Sequence, residues 1–170
     1  MTMLVTEGQV YVAPPRATTV LVRPAAEADV AAIVAIVAEN ARQGHLLPRS
    51  AENIHASLRS WLVAEVDGAV VGIGSLLEMT PVLAEVRSLA VLPAFRSHGA
   101  GAALVRGLVE EARRRDFRTV FALTRAVPFF QKLGFVITGQ ERFPEKVWRD
   151  CVLCPLQQRC DETAVVMELL

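Results

Sequence analysis

Hydrophobic and polar positions divide this chain into short units of two periods. After Asp29, the apolar positions Val30, Ile33, Val34, Val37 and Ala41 recur at helical spacing. That pattern predicts a helix with Asp29 as its N-cap and Gly44 as its stop. Ser50 caps a second, short helix whose inner face would carry Ile54, Leu58 and Trp61. Leu62–Val66 and Ala69–Leu77 are β-prone runs joined by Asp67-Gly68. An Asp-Gly pair there predicts a hairpin with a type I′ turn, because both turn residues need positive φ. Val20–Arg23, Ala84–Val91, Thr119–Leu123 and Val165–Leu169 read as further strands, the first two ended by prolines. Gly101–Arg115 reads as a long amphipathic helix with Leu104, Leu108, Val109 and Ala112 on its apolar stripe. Arg113-Arg114-Arg115 at its end complements the helix dipole. Pro128–Leu133 is a short helix. The mixture predicts a single α/β (α+β) domain over residues 19–170. Residues 1–18, with Pro14-Pro15 and little periodicity, are expected to be a flexible arm. Residues 141–163 are expected to be a cysteine-containing C-terminal loop segment.

Composition narrows the function. Of 170 residues, 52% are hydrophobic, which excludes a disordered chain and supplies a core without staples. Eighteen basic residues balance eighteen acidic ones, so no global field draws nucleic acid or an anionic membrane. No apolar run reaches the roughly 18 residues of a membrane span. No basic n-region with an apolar h-region opens the chain, so a cytoplasmic location is expected. Three cysteines, all in the last twenty residues, do not make the framework of a secreted scaffold.

The informative stretch is Arg96-Ser97-His98-Gly99-Ala100-Gly101-Ala102. It follows a strand and opens a helix. Its glycines let the backbone turn tightly and approach a ligand, while the free N–H groups and dipole of the helix start favour an anion. It is not a Walker loop, because no Gly-Lys-Ser/Thr follows. The run from Ala84 through Glu85-Val86-Arg87-Ser88-Leu89-Ala90-Val91 to Gly101, with Phe129-Phe130-Gln131-Lys132-Leu133-Gly134-Phe135 further on, resembles the Gcn5-related N-acetyltransferases over residues 20 to 140. The resemblance implies that family's fold, a mixed central sheet of six to seven strands flanked by about four helices. It also implies an acetyl-coenzyme A site. The backbone of Leu89, Ala90 and Val91 would pair with the pantetheine arm where two strands splay. The amides of Ser97, His98, Gly99, Ala100, Gly101 and Ala102 would hold the pyrophosphate, with Arg96 assisting. Phe130 stands where many family members carry a tyrosine that protonates the leaving thiolate, which leaves that step without an assigned acid. Phe130 itself would pack against pantetheine or in the core.

Acetyl transfer to an amine needs a base, a polarised carbonyl and a leaving thiolate. Glu85, in the strand entering the loop, matches the family's catalytic glutamate; burial beside a ligand would raise its pKa toward a useful value. Glu78 is the reserve. Strict alternation places Glu85, Arg87 and Leu89 on one face and Val86, Ser88 and Ala90 on the other. An arginine beside a base suits a substrate that carries a carboxylate, while an ion pair with an acidic neighbour is the structural alternative. His45–Ser50, Phe143–Cys151 and the Cys151-x2-Cys154-x5-Cys160 segment, taken with Ala-Glu-Val-Arg-Ser-Leu-Ala-Val, look like the short bacterial amino-acid N-acetyltransferases that make N-acetylglutamate for arginine biosynthesis. This implies L-glutamate as acceptor; the alternatives are another amino acid, a small amine or a protein N-terminus as acceptor, or a coenzyme A-binding sensor domain without turnover. Its two carboxylates call for cations, and Arg49, Arg87 and Lys146 are the candidates.

Three readings of Cys151, Cys154 and Cys160 stand side by side: a metal site short of a fourth ligand, a Cys-x-x-Cys redox pair, or reduced or bridged thiols packing the segment. The transfer itself needs no metal. The last strand, if left at an edge, would pair with a second copy in a homodimer.

Overall fold

The computed structural model describes residues 18–155 and 160–170, apart from the side chains at 147 and 148. The expected N-terminal arm therefore lies, but for Thr18, outside the described residues. Seven strands form one sheet: β1 (Leu21–Pro24), β2 (Trp61–Val66), β3 (Ala69–Thr80), β4 (Leu83–Val91), β5 (Thr119–Thr124), β6 (Val136–Thr138) and β7 (Thr163–Glu168). Their order is β1-β2-β3-β4-β5-β7-β6, antiparallel except for the parallel β4–β5 pair at the centre. A right-handed crossover is the general rule for such a parallel pair, and here the connection contains the long helix. Among the described residues five α-helices accompany the sheet: α1 (Val30–Arg42), α2 (Ala51–Ala56), α3 (Ala100–Arg114), α4 (Val127–Lys132) and α5 (Pro144–Arg149).

The β2–β3 hairpin turns at Asp67 (φ 49°) and Gly68 (φ 81°), as the Asp-Gly pair predicts. The α3 stripe is buried as read: Leu104, Leu108, Val109 and Ala112 pack with Leu62, Val86, Val120 and Phe130 on one face of the sheet. On the other face, α1 and α2 cover β2 and β3 through Ile33, Ile36, Val37, Ile54 and Ile73. Further along that face Phe143, just ahead of α5, stacks flat on Phe121 of β5, with ring centroids 4.0 Å apart. Between these two packed patches, Glu85 and Arg87 of β4 enter the interior.

Four local expectations need correction. Asp29 does not cap α1 with its side chain. Its carboxylate accepts from the Arg23 guanidinium at 2.7 and 2.9 Å and from the Ala26 N–H at 2.7 Å, closing the turn ahead of the helix. Trp61 belongs to β2 rather than to the second helix, which ends at Ala56; its indole N–H still reaches back to the Ser57 hydroxyl. The last strand is not an edge: β7 is paired on both sides, by β5 and by β6, so it offers no pairing surface to a second copy. The edges are β1 and β6. Finally, alternation along β4 does not run through. Ser88 adopts φ 54°, and the β3–β4 register slips between Ile73 and Ser75. This bulge reverses the pleat, as an extra residue in one strand must. Leu89 and Val91 therefore pack with Val86 on the α3 side, while Ala90 turns to Ile73 on the other.

Candidate active site

Pairing between β4 and β5 runs only from Leu83↔Thr119 to Glu85↔Phe121. Beyond Glu85 the two strands part. The edge of β4 facing β5, from Arg87 through Val91, is left open at the centre of the sheet. A cavity of about 480 Å³ occupies this opening. Its walls come from five main places: the α1–α2 connection (His45, Arg49), β4 (Glu85, Arg87, Leu89), the end of β5 (Ala122, Thr124), the α4 helix (Phe129, Phe130) and the segment from α5 onward (Lys146, Asp150).

Glu85 is 2% exposed, and so sits deeper than an ordinary surface carboxylate. Its Oε1 accepts from Lys146 Nζ at 2.7 Å. Its Oε2 is buried and has no partner among the described residues. Burial pushes the Glu85 carboxyl above its ordinary value, and the Lys146 charge and hydrogen bond pull the other way without cancelling the shift. Lys146 also donates to Asp150 Oδ2 at 2.9 Å, one helical turn ahead. Burial alone would lower the Lys146 ammonium. The Glu85 charge, with the Glu85 and Asp150 hydrogen bonds, outweighs it and holds the pKa above the usual lysine value. For Asp150, burial is likewise outweighed, here by Lys146 and then Arg87, so its carboxyl lies below the ordinary range. Arg87 donates to the same Asp150 oxygen at 3.2 Å. The result is a chain of charges, Glu85–Lys146–Asp150–Arg87, linking β4 to α5.

Arg49 closes the cavity from the α1–α2 side, and its buried Nε has no partner among the described residues. Burial, and then the neighbouring Arg49 charge, draw Arg87 below its ordinary value. Two guanidinium groups that push on each other beside an unpartnered N–H make a local demand for an anion.

The structure thus brings Glu85, Arg49, Arg87, Lys146, Leu89 and Phe130 into one cavity. The Lys146 ammonium is held by two carboxylates, which take two of its three donors. The ion-pair alternative for Arg87 is realised with Asp150, yet a guanidinium carries five donors and this bond uses one. Phe130 is buried in the core cluster, at right angles to the Phe129 and Phe135 rings, and also lines the cavity. Glu78, the reserve base, lies outside the cavity walls, exposed and 3.6 Å from Arg115.

The Gly-rich loop lies beyond the end of the open edge. Gly99 (φ 83°) is the N-cap of α3, and Ala100 begins the fifteen-residue helix. A Cβ at Gly101 would stand 3.4 Å from the Phe129 ring, so the loop abuts the α4 wall of the cavity. Ser97 also has positive φ (66°), His98 Nδ1 lies 2.9 Å from the Arg96 carbonyl, and Arg96 Nε donates to the Val91 carbonyl at 3.3 Å. Ala90, Val91 and residues 96–102 flank the cavity rather than line it.

This arrangement of a splayed parallel pair, a bulged strand and a Gly-rich helix start has counterparts. The acetyltransferase (GNAT) family model matches residues 29–135. The chain belongs to the GNAT acetyltransferase family. Among its relatives, an uncharacterised N-acetyltransferase of Chlorobaculum tepidum is 41% identical over 148 residues, covering 87% of this chain and 96% of the relative. An amino-acid acetyltransferase of Mycobacterium tuberculosis is 36% identical over 124 residues, covering 71% of each chain. Among solved structures, the N-acetylglutamate synthase of Neisseria gonorrhoeae, complexed with coenzyme A and N-acetyl-glutamate, superposes with a TM-score of 0.79 at 26% identity. The match covers 89% of this GNAT chain and 35% of that one, so this chain spans about a third of that synthase.

Sequence reasoning missed Asp150, which holds both Lys146 and Arg87. Its spacing of four from Lys146 was the available signal. Glu162 was passed over as well; it lines the cavity, and burial raises its carboxyl. The three cysteines line the same wall. Among the described residues no group of three or more His, Cys, Asp or Glu could hold a metal ion. No described helix is long and apolar enough to cross a membrane.

Proposed function

We propose that this GNAT enzyme transfers acetyl from acetyl-coenzyme A to the α-amino group of L-glutamate, the opening reaction of arginine biosynthesis. One observation carries the reading. A buried carboxylate with one oxygen fixed by Lys146 and the other without a partner among the described residues shares its cavity with two arginines that have donors to spare. The fixed oxygen orients the group, and the other is the proton acceptor. The open edge of β4 offers backbone partners to the pantetheine arm, and the start of α3 offers its free N–H groups to the pyrophosphate.

In a ternary complex the substrate ammonium gives a proton to Glu85, directly or through water. The amine then attacks the thioester carbonyl, whose developing oxyanion is met by an N–H of the open strand edge. The nitrogen sheds its second proton to solvent as the amide forms, the C–S bond breaks, and coenzyme A leaves as a thiolate that takes its proton from solvent, since Phe130 has none to give. Arg49 and the remaining donors of Arg87 take the two carboxylates of the acceptor. Lys146 acts as a positioning residue for Glu85. Support for an amino-acid acceptor also comes from the named relatives and from the ligands of the gonococcal synthase.

The test is release of the coenzyme A thiol from acetyl-coenzyme A against a panel of the common amino acids. Strong preference for L-glutamate is expected. Preference for another acidic or amide amino acid would keep the site and change the pathway. Absence of turnover with every amino acid would overturn the reading.

A further inference from the structure

Three thiols on the cavity wall take no part in the transfer described above. Cys151, Cys154 and Cys160 are all unbridged. The backbone brings two of them together. The Cys154 N–H donates to the Cys151 carbonyl at 3.1 Å, closing the tight turn of Cys151–Leu153. In such a 3₁₀ turn, residues three apart eclipse, with a rise of about 6 Å between them. That spacing lies inside the Cα window of roughly 4.4–6.8 Å for a disulfide. Cys154 keeps φ at −76°, so its Cβ leaves in the direction the turn dictates. All three thiols line the cavity, but Cys151 and Cys154 are half-buried whereas Cys160 is exposed. The turn starts directly after Asp150, the residue that holds Lys146 and Arg87.

We infer that Cys151 and Cys154 form a thiol–disulfide exchange site, taking small-molecule disulfides on the wall of the acceptor cavity. Burial raises the Cys151 thiol, which suits it to the second, resolving step. The Cys154 thiolate attacks one sulfur of R–S–S–R; the S–S bond breaks, one R–S⁻ leaves and a mixed disulfide forms. Cys151 then gives its proton to solvent, attacks the Cys154 sulfur and expels the second R–S⁻. Two electrons pass from the protein thiols to the oxidant, which ends as two molecules of R–SH. The new bond reshapes the turn behind Asp150 and couples the redox state of the wall to the charge chain of the site.

The experiment exposes the reduced full chain to glutathione disulfide, blocks the remaining thiols with iodoacetamide and reads tryptic peptides by mass. Cleavage after Arg149 and Arg159 places Cys151 and Cys154 in one peptide and Cys160 in the next. The expected result is a peptide 150–159 lighter by two hydrogens, restored by dithiothreitol, with Cys160 alkylated. Cys151→Ser is expected to trap a stable glutathione adduct on Cys154. A bridge from either cysteine to Cys160 overturns the inference. So does full alkylation of both thiols, or a product mixture identical in native and urea-unfolded protein. The readout is a mass and needs no turnover, so it is independent of which amino acid is the acceptor.

Discussion

Replacing Lys146 with methionine keeps the length of a buried side chain and removes its charge. In the native site the ammonium holds Glu85 at 2.7 Å and Asp150 at 2.9 Å. Asp150 retains Arg87, but Glu85, 2% exposed, loses the one hydrogen-bond partner it has among the described residues. Removing one member of a buried pair costs about 3–5 kcal/mol. A domain of this size holds roughly 5–15 kcal/mol, so Lys146→Met is expected to fold and to melt roughly 6–20 °C lower near neutral pH. The pH dependence separates this account from simple loss of packing. Without Lys146, the folded Glu85 carboxyl rises further above its unfolded value of about 4.3. A raised carboxyl holds its proton in the folded state where the unfolded chain has released it. Its stabilising share is therefore whole at low pH and is lost as pH rises from the ordinary carboxylate value to the folded one, at about 1.4 kcal/mol per unit. Urea melts of Lys146→Met should show near-native stability at the acid end of that window and a growing deficit above it. Lys146→Met with Glu85→Gln should be flat across the same range. A deficit independent of pH, or single-variant costs that add within about 0.5 kcal/mol in the double variant, would refute the pairing argument.

Three further outcomes follow from the geometry. Glu85→Gln is expected to lower kcat roughly 10²–10⁴-fold with little change in acceptor KM, measured by thiol release, because amide and carboxylate share a shape and only the carboxylate takes a proton. Arg49→Ala should raise the KM for L-glutamate about tenfold or more while leaving desulfo-coenzyme A affinity, measured by calorimetry, unchanged; a loss confined to kcat would argue against a carboxylate at Arg49. Asp29→Asn removes the negative charge and one of the two acceptor oxygens that Arg23 uses, and should cost about 1.5–3 kcal/mol in urea melts at neutral pH. The Arg23 hydrogen bond, against the opposing effect of burial, lowers the Asp29 carboxyl. Its contribution is thus present above the ordinary aspartate value and lost as pH falls through the folded one, so the two proteins should converge in acid.

Much of the fold was legible where one local rule decided the outcome. Asp67-Gly68 fixed a hairpin, Ser50 capped its helix with a 3.0 Å bond to the Asn53 N–H, and the α3 stripe was buried as spaced. The Gly-rich helix start and Glu85 were legible because motif and spacing coincide. What stayed hidden was tertiary. Asp150 meets Arg87 across 63 residues, a contact that exists only because Phe143 docks α5 on β5. The bulge at Ser88 has no signature in residue type, since serine does not favour positive φ, and without it Leu89 reads onto the wrong face. Asp29 looked like a cap because the residue type was right, but Arg23 and the Ala26 N–H compete for the same oxygens. Helix α5 has six residues, too few to show a period.

The shortness of α5 has a kinetic meaning. A six-residue helix is far below the roughly 12–15 residues at which isolated helices become marginal, so α5 exists only while docked by Phe143 and the ion pairs of Lys146. Glu85, by contrast, sits on a central strand paired on both sides. The two halves of one charge pair therefore belong to segments of unequal lifetime. Amide protons of α5 should exchange through brief local openings that leave the sheet intact, while those of β4 up to Glu85 wait for global unfolding. On warming, the active site would come apart before the protein does, and the temperature at which turnover fails would lie below the calorimetric midpoint.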